Sequence, residues 1–290
     1  MRRAGYQARR FDIREAASAS ARDLRDRAAL ERALTDLAGI VHLGGVSRVI
    51  WGERDPDLCQ AVNVDATRNL LALALAQTRR RPWVVYASSR EVYGQQRAFP
   101  VAESAELQPL NAYARSKVAA ERLVTAARDS GLRTAIVRFS SVYADADDHA
   151  DRVVPAFALA AAHGGTMRID GAECAFDFTH AHDVADGLLE ICSALSMGER
   201  SMPTLHFVSG QRTTLHELAT LAADLGQRPT QFTLAVPRTF DIREFCGDPA
   251  RAAAVIGWRA RTSLRDGLGE LIRQFKVRST DAGSERCSRP

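Results

Sequence analysis

Short apolar runs alternate along the chain with longer stretches in which apolar residues return every third or fourth position. The runs at Gly39–Leu43, Trp83–Ser88 and Leu132–Phe139 have the length of strands buried on both faces. Between them, Ala- and Leu-rich periodic stretches predict helices from Arg27 to about Leu37, from Asp55-Pro56 to about Gln77 and from Asn111 to about Arg128. Asp26, Pro56 and Asn111 are the polar caps and early proline that open such helices, and Gly131 closes the third. Residues 5–12 read as a further short strand ending at Asp12. This alternation predicts a parallel sheet with helices on both faces, an α/β doubly wound fold.

After Asp145 the pattern changes. A polar loop leads to a helix over 152–162, strands over 166–170 and 175–178, a helix over 181–195, a strand over 204–208 and a helix over 214–226. An irregular stretch from Pro237 to Gly247 precedes two last helices. The reading is a first domain over 1–145, which takes back part of 175–208, a smaller lobe over 146–277, and a polar, disordered tail over 278–290.

Composition narrows the function classes. At 290 residues with 46% hydrophobic and 26% charged positions, the chain has the make-up of a globular protein with a large core. The net charge of +4 comes from arginines interleaved with Asp and Glu, so it reads as solvated helix faces and not as a nucleic-acid surface. It also suits an anionic diphosphate substrate. Five widely spaced cysteines without a C-x-x-C pair leave no zinc site and no disulfide framework, which fits a reducing cytoplasm. No signal peptide follows Met1, no apolar stretch is long enough to span a bilayer, and the Asp/His loop over 146–151 has no metal-ligand spacing.

The candidate chemistry lies between Trp83 and Lys117. The strand ends in Ser88-Ser89, and Tyr113 and Lys117 stand four apart on the next helix, so they share a face. A lysine beside a phenol lowers its pKa from about 10, and a serine hydroxyl at the strand end can bond the same substrate oxygen. Two of the 39 basic residues are lysines, Lys117 and Lys276. A lysine kept at this position in so arginine-biased a chain points to a chemical demand. As an isolated pair, Tyr and Lys at this spacing also occur as surface decoration.

With Arg138-Phe139-Ser140-Ser141-Val142-Tyr143, Arg152-Val153-Val154-Pro155, Phe176–His180, Gly247-Asp248-Pro249 and Gly257-Trp258, the motifs Ser88–Gly94 and Tyr113-x-x-x-Lys117 make the chain resemble the NAD-dependent epimerase/dehydratase family. This is a branch of the extended short-chain dehydrogenase/reductases, and the likeness is to its UDP-glucose 4-epimerase-like members. It covers nearly all of residues 5–275. The resemblance implies a Rossmann-like fold, bound NAD, a nucleotide-diphosphate sugar as substrate and a homodimer paired through the helices over 56–77 and 112–128. It implies Tyr113 as general base, Lys117 as its electrostatic partner and ribose contact, and Ser89 on the reacting oxygen. Asp12, Asp23, Leu24, Leu43, Gly44, Gly45, Asn63 and Ser88 fall at cofactor positions, and Ser141, Arg152 and Arg238 at substrate positions. Glu91 matches the base of the family's 4,6-dehydratases, but Arg90 stands where they carry an acidic proton donor. That favours an epimerase, with dehydratase and ketoreductase as rivals and a salt bridge to Arg90 as the structural reading of Glu91. Ser141 replaces a frequent asparagine, Phe176 a frequent arginine, and Gly44-Gly45 a frequent alanine.

The G-x-x-G-x-x-G fingerprint expected about 20 residues before the ribose acid has no counterpart, because eleven residues precede Asp12. The expectation is therefore a fold whose first βα unit is absent. Either a segment precedes Met1 in the complete protein, or the chain is a remnant that binds nucleotide sugars without turnover.

Overall fold

A computed structural model describes residues 5–15, 22–199 and 202–287, with the side chains of Glu15 and 279–287 outside the description. Asp26 accepts from the Ala29 N–H at 3.0 Å and opens α1 (Arg27–Ala33), which feeds β1 (Gly39–His42). The predicted helix over 55–77 is preceded by a short α2 (Val49–Arg54). It consists of α3 (Pro56–Gln60), a π turn over Ala61–Asp65 and α4 (Ala66–Ala76). Next come β2 (Trp83–Ser89), α5 (Ala112–Asp129) and β3 (Thr134–Phe139). β4 (Ser141–Tyr143), α6 (Val153–His163), β5 (Gly165–Asp170), β6 (Ala175–His180) and α7 (Ala181–Ser196) follow. The described chain finishes with β7 (Leu205–Phe207), β8 (Arg212–Thr214), α8 (Leu215–Gly226), β9 (Thr230–Ala235), α9 (Ala250–Ile256) and α10 (Leu264–Cys287).

The strand order β1-β2-β3-β7, parallel throughout, forms the main sheet. Leu30, Leu70, Val124 and Ile136 fill the core on one face, under α1, α4 and α5. Val85, Val137, Ile191, Phe207 and Trp258 fill the other, under α7 and α9. A third core packs α6, α8 and α10 around Phe157, Leu218 and Leu271. Its strands form two small sheets, β4-β6-β8 and β5-β9. No helix among the described residues is long and apolar enough to cross a membrane.

Three sequence expectations are corrected. Residues 5–12 form no strand, because no neighbouring strand supplies a ladder to their backbone. The segment crosses the sheet's edge instead: Tyr6 packs into one core and Phe11 into the other, while Arg9 donates to the Thr35 carbonyl at 2.6 Å. Strands β4, β8 and β9 were not expected, since each is short or lacks an apolar run and is fixed by its pairing partner. The backbone of α10 runs to Cys287, across most of the segment expected to be a disordered tail, with no proline before Pro290 to stop it.

A buried ion pair joins α5 to the sheet. Ser88, Arg138 and His206 are register partners on β2, β3 and β7. Arg138 meets Glu121 of α5 through two bonds, Nε–Oε1 at 2.9 Å and Nη2–Oε2 at 2.6 Å, and both residues are buried. Ser88 donates to Glu121, and Arg138 also donates to the Tyr93 hydroxyl at 2.6 Å and the Glu103 carbonyl at 2.9 Å. Arg138→Met strands the Glu121 charge and costs about 3–5 kcal/mol in urea unfolding. Arg138→Met with Glu121→Leu removes both charges and recovers most of that loss. A double variant as unstable as the single one would show that the burden lies in packing.

Candidate active site

The C-terminal ends of the parallel strands open where β2 passes into a 3₁₀ turn, Arg90–Tyr93. Ser89 caps that turn, its hydroxyl accepting from the Glu91 N–H at 3.2 Å. Gly94 ends it at φ 61°, where any Cβ would collide with the Gln108 carbonyl. Asn111 caps α5 by accepting from the Ala114 N–H at 2.8 Å, which delivers Tyr113 in the first turn and Lys117 one turn later.

Both side chains are buried. Lys117 Nζ donates to the Ala87 carbonyl at 2.9 Å and lies 5.8 Å from the Tyr113 ring centroid and 5.0 Å from that of Tyr86. Loss of water brings the Lys117 pKa down to about 8. The same loss pushes the Tyr113 phenol up to about 12, against a hydrogen bond with Ser89 that lowers it. The expected lowering of the tyrosine by Lys117 is thus corrected: burial raises the phenol, and the Lys117 ammonium is turned to a backbone carbonyl.

Asn63, on the π turn, holds the loop after β1. Its Oδ1 accepts from the Val46 N–H at 2.8 Å, and Nδ2 donates to the Val46 carbonyl at 3.1 Å and to Ser116 Oγ at 2.9 Å. A Cβ on Gly45 would lie 2.7 Å from Asn63 Oδ1, and one on Gly44 2.6 Å from Leu24 Cδ1. At Gly45 the obstacle is an amide oxygen held by its own hydrogen bond, whereas at Gly44 it is the flexible end of Leu24. Leu43 is exposed at the mouth of the strand.

On the lobe side, Arg90 Nη1 donates to Ser141 Oγ at 2.6 Å and its guanidinium stacks over Phe176 at 4.2 Å. Glu91 is buried. Desolvation raises its pKa, against Arg90 Nε at 3.4 Å and Asn111 Nδ2 at 3.2 Å.

Over residues 2–201 the chain matches the NAD dependent epimerase/dehydratase family. It belongs to that family. It is similar to a UDP-glucose 4-epimerase of Mycolicibacterium smegmatis, 30% identical over 247 residues, 83% of this chain and 76% of the relative. A GDP-6-deoxy-D-mannose reductase of Pseudomonas aeruginosa is 28% identical over 249 residues, 82% and 80% of the two chains. The solved structure of MoeE5 in complex with UDP-glucuronic acid and NAD superposes with a TM-score of 0.78 at 26% identity, over 93% of this chain and 85% of that one.

Other positions that the family resemblance singled out lie apart or are already paired. Asp12 is held by Arg14 at 2.8 Å, which lowers its carboxyl to about 2. Asp23 is bonded by Arg25 at 2.6 Å. Ser88 turns its hydroxyl to Glu121, on the core side of the strand, so that hydroxyl is spent inside the protein. Arg152 is bonded to Asp148 at 2.9 Å and the Val142 carbonyl at 2.7 Å, and Arg238 to Asp241 at 2.6 Å. The Asp/His loop beside Arg152 is taken up by arginines: Asp147 pairs with Arg278 and Asp151 with Arg48. Among the described residues no group of three His, Cys, Asp or Glu is placed to hold a metal.

Sequence reasoning missed Asn111 as a site residue, although its Nδ2 bridges Glu91 to the Phe240 carbonyl at 3.2 Å. Its cap position was legible; its reach across the lobe was not. Ser116 and Cys59, packed with Asn63 behind Lys117, carried no signal at all.

Lys117 gives stability a pH signature. Between pH 8 and about 10 the folded chain has released this proton and the unfolded chain, near 10.5, still holds it. Stability therefore rises with pH across that window. Above about 10 the buried phenols Tyr86 and Tyr113, both raised by desolvation, reverse the trend. In urea unfolding, Lys117→Met should abolish the rise between pH 8 and 10. A slope that survives the substitution would place the titration elsewhere.

Proposed function

We propose that this chain is a nucleotide-sugar epimerase that works by transient oxidation of a sugar hydroxyl, in the manner of the UDP-glucose 4-epimerase it is similar to. The observation that carries the reading is the meeting of Ser89, Tyr113 and Lys117 at the open end of β2, with an arginine, Arg90, between Ser89 and Glu91. An arginine cannot donate a proton at neutral pH, so the acid needed to expel a leaving hydroxyl is absent from that position.

Tyr113 removes the hydroxyl proton while the hydrogen on the same carbon departs as hydride, and Ser89 bonds the reacting oxygen. Bound NAD supplies the hydride acceptor and, through its oxidised nicotinamide, a positive charge that favours the phenolate. Lys117 adds a second cation behind the ring. Tyr113 would then return the proton to the sugar oxygen as the carbon regains its hydrogen on the other face. Leu43, Gly44 and Gly45 offer an open, partly apolar strand mouth beside Lys117 for the nicotinamide end of the cofactor, as sheets of this type do. Asn63 fixes that loop. For the diphosphate, Arg238 is the candidate, once it exchanges Asp241 for phosphate, with Arg152 toward the nucleobase and Ser141 as a further substrate position. Asp12, Asp23 and Leu24 stand for the adenosine end, which requires Asp12 to leave Arg14.

A second reading, dehydration, is favoured by one observation: Glu91 is buried with a raised pKa beside Asn111. Product analysis separates the two. With NAD and a nucleotide sugar in D2O, an epimerase yields the epimer with no deuterium at the inverted carbon, whereas a dehydratase yields a 4-keto-6-deoxy sugar that incorporates solvent deuterium. Tyr113→Phe should lower turnover by roughly 10²–10⁴-fold, the range for loss of a general base. A loss below tenfold would remove Tyr113 from that role.

The outer faces of α4 and α5 carry the alanines Ala72, Ala76 and Ala126 set among the arginines Arg68, Arg115 and Arg122. We read this face as the two-fold interface of a homodimer. The four described cysteines are buried and free, in keeping with a reducing cytoplasm. Sedimentation at micromolar concentration should give twice the 31.7 kDa chain mass. A single monomeric species would count against the interface.

A further inference from the structure

The inference rests on the nucleotide-sugar reading and names the class of sugar. Arg90 is anchored by neutral groups and makes one long ion pair, with Glu91. Its guanidinium stacks over Phe176 at 4.2 Å, and Nη1 donates to the uncharged Ser141 hydroxyl at 2.6 Å. Its contact with a carboxylate is Nε to Glu91 at 3.4 Å, the long limit of a hydrogen bond. Nη2 has no protein partner among the described residues. The side chain is only 15% accessible, so it is held in one place. The other nearby carboxyl, Asp241, is bonded to Arg238 at 2.6 Å. Desolvation raises both Glu91 and Asp241, against the opposing pull of Arg90 on each. A partly desolvated guanidinium in this state gains from an anion that meets its open Nη2 group.

Its position says which part of a substrate it meets. Arg90 directly follows Ser89, and its charge is felt at the Tyr113 phenol. It therefore lies on the side of the reacting sugar carbon. Arg152 and Arg238 are separate cations, each already matched to an aspartate.

We propose that Arg90 is a specificity residue that receives a carboxylate carried by the sugar ring, so that nucleotide hexuronates are the preferred substrates. Phe176 orients the guanidinium and Ser141 fixes its rotation, leaving Nη2 for the incoming group. Lysine would supply charge without the planar fork.

The experiment titrates the 290-residue chain, in the presence of NAD, with UDP, UDP-glucose and UDP-glucuronate, and repeats the series with Arg90→Met and Arg90→Lys. Wild type should bind UDP-glucuronate roughly 10- to 100-fold tighter than UDP-glucose, the worth of a charge-assisted pair. The ratio should fall to near one in Arg90→Met and to an intermediate value in Arg90→Lys. A wild-type ratio near one, or a high ratio that survives Arg90→Met, overturns the proposal. So does an Arg90→Met loss that is as large for UDP itself, because the cation would then serve the diphosphate. If wild type binds UDP and both sugars equally, only this inference fails. If it binds none of the three, the nucleotide-sugar reading fails with it.

Discussion

The bond between Arg138 and Glu121 is the constraint on which the site depends. A guanidinium and a carboxylate buried together gain little over an apolar pair, yet either one alone is very costly, so the two must meet. Their meeting fixes the rotation and height of α5 against β2 and β3. Tyr113 and Lys117 lie on the same helix, four residues apart, with Lys117 one turn before Glu121. Their position over the end of β2 is therefore set by an ion pair on the helix's next turn. Tyr93 and Glu103 extend the same network toward β7 and the second lobe, since the Tyr93 hydroxyl also meets His206 and the Glu103 carboxylate accepts from the His206 N–H at 3.0 Å.

A second device, Asn63, works at the other wall. The π turn gives this residue the reach to satisfy both backbone groups of Val46 and the hydroxyl of Ser116. Loop, π turn and α5 are thereby locked around Lys117. The third wall, Arg90-Glu91 with Ser141, Phe176 and Asn111, joins the sheet domain to the lobe. Two walls are built from satisfied groups; the third keeps a cation with an open donor.

Burial governs the acid–base state of the site. Tyr113 is raised and Lys117 lowered for the same reason, removal of water from the charged form. In the protein alone the pair rests as phenol and ammonium at neutral pH.

The sequence by itself determined the elements whose signal is local: the runs of β1, β2 and β3, the caps Asp26 and Asn111, and the four-residue spacing that puts Tyr113 and Lys117 on one face. It also carried the family likeness that the comparison with known proteins bears out. Only the tertiary structure decided what depends on partners distant in the chain. Residues 5–12 have a strand's composition but no neighbour to pair with, while β9, with little apolar signal, is a strand because β5 lies beside it. Arg138 with Glu121 and Arg90 with Ser141 are partners that no motif reveals, whereas Asp12, Asp23, Arg152 and Arg238 pair with residues two to four positions away; Ser88 and Ser89 are adjacent serines that the pleat sends to opposite faces. Backbone periodicity is written residue by residue, whereas desolvation, and an ion pair such as Arg138 with Glu121, arise from what folding brings together.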